Sequence, residues 1–352
     1  MIDFSVTGDA QILLDTVTRF AREHLADTAR KAESARAPGA DATRLYEDLG
    51  LMGLEAPGGG LGLLERCLVN ETLGRADPGA ALALDRLGAA GYALWAAEDH
   101  ESVAAILADP ARRAWLATPE DGAMNVSERA ASGEIYFTPA GITDLVLLAP
   151  TGIAVIHGGI EELPVRGAGL RAANPMRLRL EEAPVARFYR TPTAGALARA
   201  RLYMASLLLG VLDAAAAYAR DYAMERITFG RPIAHHQAMT FMLTDMNTAV
   251  TGTRLLIQEA AWRLDTAGRD AEAARQAHEA AATAFVEAVE QSAFVGPAGV
   301  QVLGGLGFMQ DYPVEKYMRE SRALGLLYGG LDQARDDAMA LPETTLMAGG
   351  LF

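Results

Sequence analysis

The stretch YAMERITFGRPIAHHQAMTFMLTDM, Tyr222 to Met246, decides how the rest of the chain is read. It reads as the end of one helix, a turn at Gly230-Arg231-Pro232 and the start of a second long helix. A glycine just past a helical run supplies a left-handed cap, and a proline two residues later stops the helix from continuing. The bend offers Arg226 as an anion clamp and sets the Gln237 amide near the same corner. Arg226 reads equally as a solvated residue complementing the negative end of the helix dipole. His235 and His236 are adjacent, so on a helix they diverge by about 100°, which argues against a shared metal. Contact with a phosphate or ribose, or simple capping, remains open to them.

On either side of this bend the pattern is helical. Leu202 to Tyr222 forms one segment, and Met239, Met242, Leu243, Met246, Val250, Ile257 and Leu264 form the apolar stripe of the next. Methionines at that spacing are core residues rather than ligands. Asp270 to Gly296, Tyr312 to Leu324 and Asp332 to Ala340 read as further helices. Before the bend, between about 110 and 190, apolar residues recur with period two. Leu145 to Leu148 and Ile153 to Ile156 flank Ala149-Pro150-Thr151-Gly152 as a hairpin, and Met176 to Leu180 alternates strictly. Residues 1–110 are again helical, with Ile12, Leu13, Val17 and Phe20 on one face, Tyr46 to Met52 ending at Gly53, and Leu63 to Leu73, Asp85 to Trp95 and Glu101 to Leu107 following. The glycine loop Pro57 to Gly62 lacks a following Lys-Ser/Thr and a preceding strand, so it reads as a hinge rather than a phosphate cradle. The expected class is mainly α with a small β domain (α+β): a helical bundle over 1–110, a shortened β-barrel-like domain over 111–190 and a four-helix-type bundle over 191–352.

Composition excludes some functions. The 352 residues carry 31 Lys+Arg against 45 Asp+Glu, a formal charge of −14, which argues against a nucleic-acid partner. Cys67 is the single cysteine and reads as a structural thiol in a reduced, cytoplasmic setting. The apolar run Leu202 to Ala219 is interrupted by Asp213, so no membrane span is expected.

Arg226-x-x-Phe229-Gly230-x-Pro232-Ile233, followed by Gln237 and Asp245-Met246, resembles the flavin-contacting signature of the acyl-CoA dehydrogenase family. A second block, QVLGGLGFMQDYPVEKYMRE over 301–320, resembles the family's Gln-x-x-Gly-Gly-x-Gly stretch and the turn and helix after it. The resemblance implies FAD as cofactor, with Arg226, Phe229, Gln237, Gln301, Gly304 and Gly305 as its contacts. It also implies an acyl-CoA substrate, with Arg201 as a contact to CoA phosphate or else a plain helix-surface arginine, and leaves the electron acceptor to an electron-transferring flavoprotein. The middle domain would form the wall against which flavin ring and thioester lie. Its expected opening loop, Thr-Glu-Pro-Gly-x-Gly-Ser-Asp, has become Leu116-Ala-Thr-Pro-Glu-Asp-Gly-Ala-Met-Asn-Val-Ser127, and the family's Lys-x-Trp-Ile-Thr strand is missing.

The chemistry such enzymes perform needs a base, because a thioester α-hydrogen does not leave unaided, and a flavin to take the β-hydride. The usual glutamate of Tyr-Glu-Gly-Thr is replaced here by Gly329, and the alternative helix position by Ala200. Asp332 is the nearest carboxylate, but three residues of helix displace it about 4.5 Å along the axis and about 300° around it, so it reads as the polar start of the last helix. No catalytic residue and no metal ligand is therefore expected. In this family each flavin is shared across a dimer, and the groups kept here are the ones that reach into the partner's site. The resemblance thus points to the base-lacking subunit of a heteromeric bacterial acyl-CoA dehydrogenase, paired with a homologous catalytic subunit. Similar enzymes act on bulky sterol side-chain thioesters. A hetero-oligomer is expected, otherwise a homodimer or homotetramer. A self-sufficient enzyme with an atypical base and a flavin-free binding protein are the alternatives.

Overall fold

The computed structural model of the chain describes residues 4, 6, 8–58 and 60–339. The N-terminal helices are α1 (Gly8–Phe20), which runs on into a π-helical turn at Ala21–Ala26, α2 (Ala29–Ala35), α3 (Ala40–Asp48), α4 (Leu63–Ala76), α5 (Pro78–Leu84), α6 (Ala90–Ala96) and α7 (His100–Ala108). Val17 and Phe20 of the expected α1 face are buried, but Ile12 is 66% exposed. The helix expected from Asp85 to Trp95 is instead a break followed by α6. Asp77 caps α5 by accepting the Ala80 N–H, Pro78 takes the first helical position, and Gly88 at φ +48 turns the chain between α5 and α6. Gly59 of the glycine loop and residues from Ala340 onward lie outside the described residues.

The middle region holds β1 (Ala114–Ala117), β2 (Gly122–Val126), β3 (Ala130–Thr138), β4 (Asp144–Ala149), β5 (Gly152–Ile156), β6 (Ile160–Pro164), β7 (Met176–Pro184) and β8 (Arg187–Tyr189). They form two four-stranded sheets, ordered β1-β4-β5-β8 and β2-β3-β7-β6. The β4–β5 hairpin pairs Ala149 with Gly152, and both strands are buried throughout, which is why they read as continuous apolar runs.

Then come α8 (Ala194–Glu225), a short hairpin of β9 (Ile227–Thr228) and β10 (Arg231–Pro232), α9 (Gln237–Thr266), α10 (Ala271–Leu303), α11 (Val314–Leu324) and α12 (Gly330–Ala338). α8 is the axis of the molecule, packing against α4, α9, α10 and α11. By length and composition it is apolar enough to cross a bilayer, but 78% of its most apolar window is buried inside the fold. Its apolarity is that of a core helix. On α9 the stripe buries Met246, Val250, Ile257 and Leu264, while Met239, Met242 and Leu243 are half-buried. α10 runs past the expected stop at Gly296 and carries Pro297 inside it, so one intrahelical hydrogen bond is given up where α8 and α11 pack on it. Cys67 is buried, and burial pushes its thiol far up, as befits a structural residue.

Candidate functional site

The bend after α8 is a hairpin and not a helix cap. α8 ends at Glu225, and Thr228 pairs with Arg231 across Phe229 and Gly230, at φ +51 and +79. Positive φ at both central residues is what a two-residue turn of the type I′ class needs, so Gly230 serves the hairpin and the expected capping role is corrected. The Arg226 carbonyl accepts the Ile233 N–H at 2.8 Å, which closes the base of the loop. His236 holds it from below: its ring lies edge-on 6.1 Å from the Phe229 ring, with Nε2 3.3 Å from the Thr228 carbonyl and Nδ1 3.2 Å from Arg231 Nη2. His235 is exposed beside it, and among the described residues no group of three or more His, Cys, Asp or Glu is placed to hold a metal.

What this scaffold presents is uncommitted. Phe229 is 97% exposed, and the Arg226 guanidinium and Gln237 amide, both exposed, have no side-chain partner among the described residues. The second motif repeats the theme. Gln301 lies in the last turn of α10, its amide exposed and without a hydrogen-bond partner among the described residues, and Gly304 turns the chain at φ +59 while its N–H bonds the Gln301 carbonyl. A Cβ added at Gly304 or Gly305 would meet no heavy atom within 4 Å. Phe308 just beyond is 77% exposed. No hydrogen bond among the described residues joins the hairpin to this turn, so the two motifs form separate contact points on the surface.

The corner where a base is expected is built in the opposite way. Ala200 is fully buried in α8, and Gly329 turns into α12 at φ +81. The Gly329 N–H donates to Asp121 Oδ1 at 3.1 Å, and the Thr118 N–H donates to Asp121 Oδ2 at 2.8 Å. The Trp115 ring lies 6.3 Å from the buried Tyr328 ring and 6.1 Å from Phe137. The cavity left among Trp115, Tyr203, Met204 and Tyr328 measures about 10 Å³, at the limit for a single water molecule and far below a thioester or a flavin ring. The residues at this corner therefore do not fit the ring, whereas the exposed Arg226, Gln237 and Gln301 fit an anionic, hydrogen-bonding ligand approaching from outside.

Two expectations about charged residues change. Arg201 is not a helix-surface arginine: it is 2% exposed, with Nη1 2.5 Å from Asp337 Oδ2 and Nε 3.3 Å from the Tyr328 carbonyl. It fastens α12 to α8. The Asp332 side chain is 99% exposed, with Arg335 3.8 Å away, and faces solvent from the first turn of α12.

Sequence reasoning missed the polar cluster that fills the interior beside this corner. Arg66 of α4 pairs with Asp85, donates to the Leu51 carbonyl at 2.6 Å and lies 5.0 Å over the Tyr203 ring. The Tyr203 hydroxyl donates to Asp85 Oδ2 at 2.9 Å, and the Tyr92 hydroxyl to Glu55 Oε1 at 2.6 Å. The partners come from separate elements, so no local spacing announces them. A cavity of about 470 Å³, lined by Glu55, Trp95, Arg199 and Asp265 among others, lies beyond this cluster and touches neither base position.

Asp121 also makes a pH prediction. Burial outweighs its three backbone N–H donors and pushes its carboxyl up to about 6. A raised acid binds protons in the folded state first, so between about pH 4 and 6 this residue loses stability as pH rises, by at most about 1.4 kcal/mol per pH unit. Carboxyls held low by arginines, such as Asp144 and Glu315, slope the other way. The difference between wild type and Asp121→Asn in urea melts at pH 4.5 and 7 isolates the Asp121 slope: the variant should gain relative stability toward pH 7, and a pH-independent difference would contradict it.

Residues 7–106 match the family model of the acyl-CoA dehydrogenase N-terminal domain, and residues 181–339 match that of the acyl-CoA dehydrogenase C-terminal domain. An acyl-CoA dehydrogenase of Bacillus subtilis is 38% identical over 133 residues, 37% of this chain and 32% of that protein, so this match spans about a third of the relative's length. Benzylmalonyl-CoA dehydrogenase of Aromatoleum aromaticum is 28% identical over 381 aligned positions, covering 94% of this chain and 97% of the relative. Among solved structures, the ChsE4-ChsE5 complex of Mycobacterium tuberculosis contains a chain with the same fold, at a TM-score of 0.79 and 23% identity over 97% of this chain and 100% of that one. The chain belongs to the acyl-CoA dehydrogenase family, whose cofactor is FAD.

Proposed function

We propose that this chain is the non-catalytic subunit of a flavin-dependent acyl-CoA dehydrogenase, completing the FAD site of a homologous catalytic partner that carries out α,β-dehydrogenation of an acyl-CoA. The observation that carries the reading is a split. The residues matching the family's trans-acting contacts, Arg226, Phe229, Gln237, Gln301, Gly304 and Gly305, are exposed and uncommitted. The residues matching the base positions, Gly329 and Ala200, carry no carboxylate, and the cavity lined by Trp115, Tyr203, Met204 and Tyr328 nearby measures about 10 Å³. Phe229 and Phe308, 97% and 77% exposed, stand beside these contacts and are free to be covered by another chain. A second, homologous chain is the occupant this reading assigns to them, in a cytoplasmic hetero-oligomer acting on lipid or steroid thioesters.

Arg226 then supplies a charge-assisted hydrogen bond to the cofactor pyrophosphate. Such bonds contribute about 1.5–3 kcal/mol, so Arg226→Ala, in the complex formed by co-expression with the homologous chain of the same genome, should weaken FAD retention about 10- to 100-fold. The partner's own fold should be unaffected. An unchanged FAD dissociation constant in the variant complex would remove Arg226 from the cofactor site.

A further inference from the structure

In the arrangement the family implies, four layers follow one another: the middle-domain wall, the flavin ring, the thioester and the base. Two interposed layers keep wall and base out of contact. Here the wall and the base position touch: Asp121 Oδ1 lies 3.1 Å from the Gly329 nitrogen. Asp121 ends the short turn Pro119–Asp121 that opens β2, and a reciprocal pair with Thr118 pins its carboxylate. The Asp121 N–H donates to the Thr118 carbonyl at 3.1 Å while the Thr118 N–H donates to Oδ2 at 2.8 Å. That leaves Oδ1 to receive the Gly329 N–H, which Tyr328 at φ +56 and Gly329 at φ +81 turn toward it. Tyr328, packed on Trp115, fills the space behind the contact. This turn is also where the chain departs from the family's loop order.

We infer that Asp121 is the latch that keeps a flavin ring out of this chain's own side of the fold, so that a pair of chains holds one ring and not two; the inference rests on the supporting-subunit reading. Removing the carboxylate leaves the Gly329 N–H unpaired and frees the wall to part from α12. Asp121→Ala removes the latch fully. Asp121→Ser keeps a hydroxyl at the turn but falls one atom short of Gly329.

The test is FAD titration of the full chain by fluorescence quenching, with amide hydrogen exchange followed at Gly329. Wild type alone should show a slowly exchanging Gly329 amide and only weak FAD binding. Both variants should exchange Gly329 faster and bind FAD at least tenfold more tightly than wild type. Variants that exchange Gly329 rapidly yet bind FAD no better than wild type overturn the latch and leave the subunit reading standing. A wild-type Gly329 amide that exchanges like an unprotected one overturns the latch without recourse to any variant. Wild type that holds one FAD per chain on its own overturns the subunit reading itself.

Discussion

Arg66→Ala should lower folding stability by about 3–5 kcal/mol, because it strands a buried carboxylate. Arg66 is 1% exposed and its partner Asp85 5%. Burial opposes the guanidinium's charge, but Glu55 and Asp85 beside it hold its pKa well above the usual arginine value, so it stays charged. Truncation leaves Asp85, among the described residues, with the Tyr203 hydroxyl and the Gly88 N–H, and opens a void under the Tyr203 ring. A buried pair replaced on both sides behaves differently from one broken on one side. The double variant Arg66→Met with Asp85→Asn should therefore cost clearly less than Arg66→Met alone. Urea unfolding of the three variants measures this, and additive losses would show that the two side chains act independently.

Gly210→Ala should cost about 2–3 kcal/mol, even though alanine favours a helix by about 1 kcal/mol over glycine. An ideal Cβ at Gly210 falls 2.1 Å from the Glu71 carbonyl oxygen and 2.5 Å from the Arg75 nitrogen, while one at Gly74 falls 2.1 Å from the Leu207 carbonyl. α4 and α8 thus cross backbone to backbone at these two glycines. Neither contact is a side chain that could rotate away, so the helices must separate. Gly252 on α9 has nothing within 4 Å of a Cβ, so Gly252→Ala should leave stability equal or raise it by up to about 1 kcal/mol. Equal losses at Gly210 and Gly252 would contradict the crossing.

How much of this was legible in the sequence depended on whether the deciding contacts are local. The α9 stripe and the β4–β5 hairpin could be read because period and turn chemistry sit within a few residues. The physical role of Gly210, the crossing with Gly74, lies 136 residues back in the chain (210 − 74), beyond the reach of any local pattern. The hairpin at Phe229 has no local signature, because a phenylalanine at positive φ is not expected from propensity; the His236 ring and the Arg226–Ile233 bond hold it. Asp121 had a local signal, since Thr118-x-x-Asp121 is a capping-box pattern. Its second bond, to Gly329, spans 208 residues and leaves no trace in spacing. The same holds for Arg66, Asp85 and Tyr203, brought together from α4, the break after α5, and α8.

In the proposed function the chain's outward contacts serve another molecule's flavin while its own corner is closed. The most direct test is flavin counted per chain from the visible spectrum, for the protein purified alone and for the protein co-expressed with its homologous neighbour. The account predicts a colourless protein alone and about one flavin per two chains in the complex. A yellow protein alone, with one flavin per chain that acyl-CoA reduces, would contradict it and would require a base other than any residue at Gly329, Ala200 or Asp332.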